Sequence, residues 1–130
     1  MKQFRLPTTR LLRKEAEFRA VLARKCCSSN GLMRVYAAVN HVGFPRLGIS
    51  ISRAFGSAVQ RNRAKRLARE VFRLAWHDLD AGCDYLLIFH RKSPKKDKAG
   101  KSRPAQKLSL AEVRESFLAL AGKAVQKIER

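Results

Sequence analysis

The chain has 130 residues, 45% of them hydrophobic, which supports one domain with a real core and excludes a merely disordered basic tail. Its 29 Lys and Arg stand against 10 Asp and Glu, a formal net charge of +19; that excess repels itself in the compact state and is best relieved by nucleic acid, where each neutralised phosphate releases a counterion. Cys26, Cys27 and Cys83 fit neither a disulfide framework nor a paired zinc site and suit a reducing cytoplasm, and no apolar run reaches the roughly 18 residues of a membrane span.

Residues 1–12 read as extended, with Pro7 blocking a helix, and the basic N-terminus lacks the apolar stretch of a secretory signal. A first helix is expected from Arg13 to about Lys25, with Ala16, Phe18, Val21 and Leu22 as its apolar members. Phe18 has two readings: a core anchor packed inward, or an aromatic platform for an unstacked nucleotide. Cys26 to Gly31 reads as a turn-rich break. Met33 to Asn40 then alternates as a half-buried strand does, and Arg46 to Arg53 repeats the pattern more clearly. There Leu47, Ile49 and Ile51 form an apolar face, while Gly48, Ser50 and Ser52 leave the other face small and polar, open either to close approach or simply to solvent.

The central helix is announced by Ser57-Ala-Val-Gln60, a capping-box pattern. At about 100° per residue, Ala64, Leu67, Ala68, Val71, Phe72 and Ala75 share one side, and Arg61, Lys65, Arg66, Arg69 and Arg73 the other. Arg63 lies at the border of the basic side and Asn62 within it. Five of the nine residues from Arg61 to Arg69 are basic, and unpaired like charges at i,i+4 cost a few tenths of a kcal/mol each. A solvated surface face is the bland reading; an anion-binding face is the functional one. Gly82 is expected to end this helical segment after Leu79 in the left-handed conformation.

Asp84 to Arg91 is apolar on both faces over most of its length, as suits a strand inside a sheet. Residues 92–107, with seven basic residues, two prolines and a glycine, read as a flexible basic loop. Ser109 to Glu112 forms a second capping-box pattern, and Leu110, Val113, Phe117, Leu120, Ala121, Ala124 and Ile128 line one face of a terminal helix. There is no internal repeat and no domain boundary, so residues 1–130 are expected to form a single domain.

A self-sufficient phosphodiesterase usually carries clustered carboxylates for metals or a histidine pair. Here His41, His77 and His90 are dispersed, and Asp78, Asp80 and Asp84, the one local acidic cluster, read as solvated residues at a helix-to-strand junction rather than metal ligands. No phosphate loop or nucleophile motif is present. The polypeptide reads as a binder.

The run RLGISISRAFGSAVQRNRAKRLAREVFR, Arg46 to Arg73, closely resembles the signature of the bacterial ribonuclease P protein family: a Gly-x-Ser-x-Ser-type strand, a Gly-x-Ala-Val turn and an Arg-Asn-Arg helix. EFRAVL, Glu17 to Leu22, and DYLLIFHR, Asp84 to Arg91, match in type and placement. The resemblance implies an α+β fold, a single-domain two-layer α/β sandwich of αβββαβα order with a mixed sheet of about four strands, three helices and a left-handed βαβ crossover, an exception to the usual hand. It implies an RNA subunit that removes the 5′ leader of precursor tRNA with Mg2+, and a cytoplasmic protein that binds both RNAs without catalytic residues of its own, a membrane or an obligatory protein partner. By position, Arg61, Asn62, Arg63, Lys65, Arg66 and Arg69 would contact the RNA subunit. Phe18, Leu22, Tyr36, Ser50, Ser52 and Arg53 would form the leader cleft. Two departures stand out: Leu22 occupies a place where many relatives have a second aromatic residue, and Arg53-Ala54 replaces a common lysine pair. The alternatives are a ribosomal-type RNA binder and a nuclease that acts without RNA.

Overall fold

The computed structural model describes residues 8–90 and 108–128; the expected basic loop, 92–107, lies outside the described residues. The principal elements are α1 (Glu15–Ala23), β1 (Cys27–Ser29), β2 (Met33–Val39), β3 (Arg46–Ile51), α2 (Ala58–Leu74), β4 (Cys83–Phe89) and α3 (Leu110–Gln126). The αβββαβα order is as expected. The sheet runs β1-β2-β4-β3, so the strand that is apolar on both faces, β4, is an inner one. β2 is antiparallel to β1 and β4, whereas β3 and β4 are parallel; a parallel neighbour cannot be reached by a tight turn, and α2 carries the crossover.

Strand alternation divides the core. Met33, Val35 and Ala37 of β2, Leu47 of β3, and Cys83, Tyr85, Leu87 and Phe89 of β4 share one face, where the apolar stripes of α2 and α3 cover them. Phe117 meets Phe72 and Tyr85 edge-on, with ring centroids 6.3 and 6.0 Å apart. Each such large side chain taken from water is worth about 1.5–3 kcal/mol. On the opposite face α1 covers only part of the sheet, where Val21 packs with Leu12, Ala38 and Leu86.

The N-terminal boundary of α2 agrees with the sequence. The Ser57 amide donates to Gln60 Oε1 at 2.8 Å and the Gln60 amide to Ser57 Oγ at 3.2 Å, closing the capping box. Its other end differs: the helix stops at Leu74 and is followed by a 3-10 turn, Trp76–Asp78. Trp76 packs edge-on against Phe72 at 5.5 Å, and the Arg10 guanidinium lies 3.8 Å over its ring. Gly82 is not left-handed, since Gly43 and Lys25 are the positive-φ residues among those described; its amide instead donates to Asp80 Oδ1 at 2.8 Å in a side-chain-closed turn.

Two further expectations are corrected. The supposed break after α1 contains β1, a strand of three residues whose place comes from pairing with β2 and cover by α3. Thr8–Arg10 is a 3-10 turn rather than extended chain, and the backbone becomes strand-like at Leu11, which bridges Leu47. Within α1 only Val21 is buried, while Ala16 and Leu22 are exposed.

Candidate nucleic-acid interface

The outer face of the sheet is built around a charged staple. Glu17 Oε1 accepts the amides of Arg13 and Lys14 at 3.1 and 3.0 Å, satisfying donors at the start of α1, and Glu17 Oε2 accepts Arg46 Nη1 at 3.2 Å. Arg46 also grips Asp84 with Nε and Nη2, both at 2.8 Å, and Asn40 Nδ2 donates to the same carboxylate at 2.8 Å. Hydrogen bonds from the Lys14 and Arg13 amides, aided by the Arg46 charge, hold the Glu17 carboxyl below its ordinary range. The expectation of a solvated Asp84 is thus corrected: it is buried and paired. A lone carboxylate inside an apolar strand was the available signal, because a buried charge requires partners; the partner itself became evident only from the Arg46↔Asp84 register.

Three rows of neighbours cross this face: Ala38–Asp84–Arg46, Tyr36–Leu86–Gly48 and Arg34–Ile88–Ser50. Helix α1 and the preceding turn close over the middle row, and a Cβ placed on Gly48 would stand 2.8 Å from Phe18 Cε1. The close visitor allowed by the small face is therefore Phe18 itself. It remains half-buried, with Tyr36 and Ile88 beside the same cluster. In the third row, exposed Arg34 and Ser50 flank half-buried Ile88, and the nearby Tyr36 side chain raises the pKa of the Arg34 guanidinium. Ser52 and Arg53 are exposed at the end of β3, and Leu22 sits on α1 at 38% exposure. Arg34 was missed by sequence reading because an arginine on the polar side of a strand is unremarkable until Tyr36 and Ser50 are placed around it.

The same chain segment joins this cleft to the basic helix. After Ser52 a 3-10 turn, Arg53–Phe55, packs Phe55 against Phe89 at 5.6 Å and leads into Ser57. A Cβ added at Gly56 would lie 2.1 Å from Gln60 Oε1, so a larger residue there would displace the oxygen that closes the cap. Asn62, Arg63, Arg66 and Arg69 are exposed and Arg61 and Lys65 half-exposed, while Ala64, Ala68, Val71 and Phe72 are buried behind them. Arg63 Nη2 donates to the Leu108 carbonyl at 3.1 Å, and Arg61 Nε is buried without a hydrogen-bond partner among the described residues. Arg73 is withdrawn from the stripe by Glu70, whose carboxyl is held low by that hydrogen bond. Among the described residues, none of Arg61, Arg63, Lys65, Arg66 and Arg69 stands in an ion pair.

Those cations repel one another. Arg61 and Lys65, and Lys65 and Arg69, stand four residues apart on α2, and each like-charge pair at that spacing costs about 0.2–0.5 kcal/mol. The first turn of α2 contains no acid to offset them, and an anionic ligand reduces the cost. Fold and charge together define a small α+β domain with a strongly cationic helix beside an aromatic and polar sheet face.

The sequence profile of the Ribonuclease P family matches residues 6–123, and the chain belongs to that family. It is 42% identical over 78 residues to the Ribonuclease P protein component of Clostridium kluyveri, covering 60% of this chain and 70% of that one. To the protein of the same description from Clostridium botulinum, strain Loch Maree, it is 40% identical over 87 residues, covering 66% and 78%. The structure of the RNase P protein from Thermotoga maritima in complex with 1-(4-fluorophenyl)-2-thiourea superposes with a TM-score of 0.70 at 27% identity, covering 91% of this chain and 99% of that one.

Proposed function

We propose that the chain binds the catalytic RNA subunit of ribonuclease P through Arg61, Asn62, Arg63, Lys65, Arg66 and Arg69 of α2, and holds the single-stranded 5′ leader of precursor tRNA in the cleft between α1 and β3. The cations of α2 that stand in no ion pair among the described residues carry this reading, because they repel one another at i,i+4 spacing and are relieved by phosphate. Phe18 offers a ring face or edge to a leader base, with Tyr36, Leu22, Ser50, Ser52 and Arg53 around it. Stacking of that kind contributes about 1–3 kcal/mol per base and tolerates any sequence. Leader cleavage belongs to the RNA with Mg2+. In this reading the Mg2+ acts with the RNA subunit, and no step is routed through a metal held by the protein. None of Cys26, Cys27 and Cys83 is in a disulfide, which suits a cytoplasmic location, and no helix among the described residues is long and apolar enough to cross a membrane.

The deciding assay is cleavage of a precursor tRNA at low magnesium by a bacterial ribonuclease P RNA, with and without the chain. Stimulation that requires both the RNA subunit and the leader, with cleavage at the mature 5′ end, is expected. RNA binding without stimulation by a folded chain and a compatible RNA would leave a general RNA binder instead. Phe18→Ala is expected to weaken leader-bearing substrate more than mature tRNA; equal losses would reduce Phe18 to a packing residue.

A further inference from the structure

A groove of about 810 Å³ lies where the C-terminal ends of α1 and α3 meet the end of β2, lined by Arg24, Lys25, His41 and Lys127 over a floor that includes Ala38 and Val39. Among the described residues its lining contains no carboxylate. It is remote from the basic turns of α2. Those turns follow the end of β3 at Ile51, which pairs with Phe89, itself opposite Met33 at the start of β2, whereas the groove lies at Val39 and Asn40, at the other end of that strand. At about 3.4 Å per residue, the two ends of β2 are separated by roughly 20 Å.

The charge in the groove exceeds what helix capping requires. Arg24 and Lys127 occupy the C-cap positions of α1 and α3, where each helix end presents about half a negative charge. The two ends together supply about one negative charge, against Arg24, Lys25 and Lys127. Lys127 Nζ donates to the Cys27 carbonyl at 2.6 Å, and among the described residues none of the three is in an ion pair. Lys25 adds an independent feature. It holds a left-handed backbone, φ 58°, a conformation that glycine adopts without strain and that is the usual choice after a helix. Lys25 thus holds a backbone that glycine adopts with less strain, and it places its charge at the mouth of this concave surface.

We infer that this groove is a second phosphodiester-binding surface, one that seats an RNA strand beyond the reach of α2. The inference rests on the RNA-binding reading of the chain, since the polyanion that engages α2 is the one long enough to extend across the sheet.

The test uses the full chain carrying Lys25→Gly with Arg24→Gln, titrated with a bacterial ribonuclease P RNA and, separately, with a precursor tRNA over a series of salt concentrations. Lys25→Gly preserves the left-handed turn while removing the charge. The log-log salt slope should fall by about 1.4 for two single-strand phosphate contacts, and the RNA that shows the fall identifies the occupant. A second variant, Val39→Glu, puts a carboxylate into the groove without touching its cations and should weaken the same RNA. Losses should add to those of Arg61→Ala with Arg63→Ala, because the surfaces are far apart. An unchanged slope with both RNAs, in variants that melt like the parent, overturns the groove; so does an equal fall from Arg114→Gln, an exposed charge on α3 outside it. If the α2 variant also leaves binding unchanged, the RNA reading itself fails.

Discussion

Gly48→Ala perturbs the joint between α1 and the sheet with a single methyl group. The new Cβ would lie 2.8 Å from Phe18 Cε1, 3.1 Å from Leu12 Cδ1 and 3.2 Å from Leu12 Cβ. Carbon atoms pack best at about 3.5–4.0 Å, so the Phe18 ring must withdraw by roughly 1 Å. Leu12 cannot yield as freely, because its Cβ is fixed to a backbone whose amide donates to the Leu47 carbonyl at 2.8 Å. Overpacking of this kind costs about 1–3 kcal/mol, and the reduced freedom of the unfolded alanine chain returns about 0.4–1 kcal/mol. A net loss of about 1–2 kcal/mol is expected. With a urea m-value of about 1–3 kcal/mol/M, the unfolding midpoint should drop by roughly 0.3 to 2 M. Phe18→Ala empties the space the methyl needs, so the double variant should be more stable than additivity requires by about 1 kcal/mol. Leader preference should fall in Gly48→Ala as the ring is displaced. A stability within 0.5 kcal/mol of the parent, together with strict additivity toward Phe18→Ala, would refute the claimed contact.

Asp84→Ala leaves Arg46 without its bidentate partner in a site where the arginine side chain is 20% exposed; loss of one member of a fully buried pair costs about 3–5 kcal/mol, and partial exposure brings the expected cost to about 2–3, readable by chemical denaturation. Glu17→Gln should destabilise the protein by about 1 kcal/mol near neutrality, the scale of a lost helix cap. Because the folded Glu17 carboxyl is held below its ordinary value of 4.5, its stabilisation is present above that pH and is lost as pH falls through the folded value. The gap between parent and Glu17→Gln melting temperatures should therefore narrow below about pH 4.5; a gap that widened on acidification would refute the assignment. Ser57→Ala removes one arm of the α2 cap and should cost about 1 kcal/mol, while Ser57→Gly should cost only a few tenths; equal losses would argue that the hydroxyl is not the source.

How much could be read in advance depended on how far apart in the chain the interacting residues lie. The apolar stripe of α2 was legible because helix periodicity is local, and Ala64, Ala68, Val71 and Phe72 are indeed buried. The Ser57–Gln60 cap was legible for the same reason, spanning a single turn. The box expected at Ser109 appears through its serine arm, with Ser109 Oγ accepting the Glu112 amide at 3.2 Å. The end of α2 was misread because Trp76, packed on Phe72 and capped by Arg10 from far earlier in the chain, decides it rather than Gly82.

The sequence by itself determined which segments would be helix or long strand, where the central helix begins, and that one helix would present more positive charge than its own acids neutralise. Each of these depends on neighbours within a turn or two, where geometry follows directly from covalent spacing. Only the tertiary structure decided that Cys27–Ser29 joins the sheet, that Asp84 is locked to Arg46 and through it to Glu17, and that Phe18 rests on Gly48. It alone brought Lys25 and Lys127 to one groove. These contacts join residues tens of positions apart, and their energies depend on burial and register, which exist only once strands have paired and helices have packed.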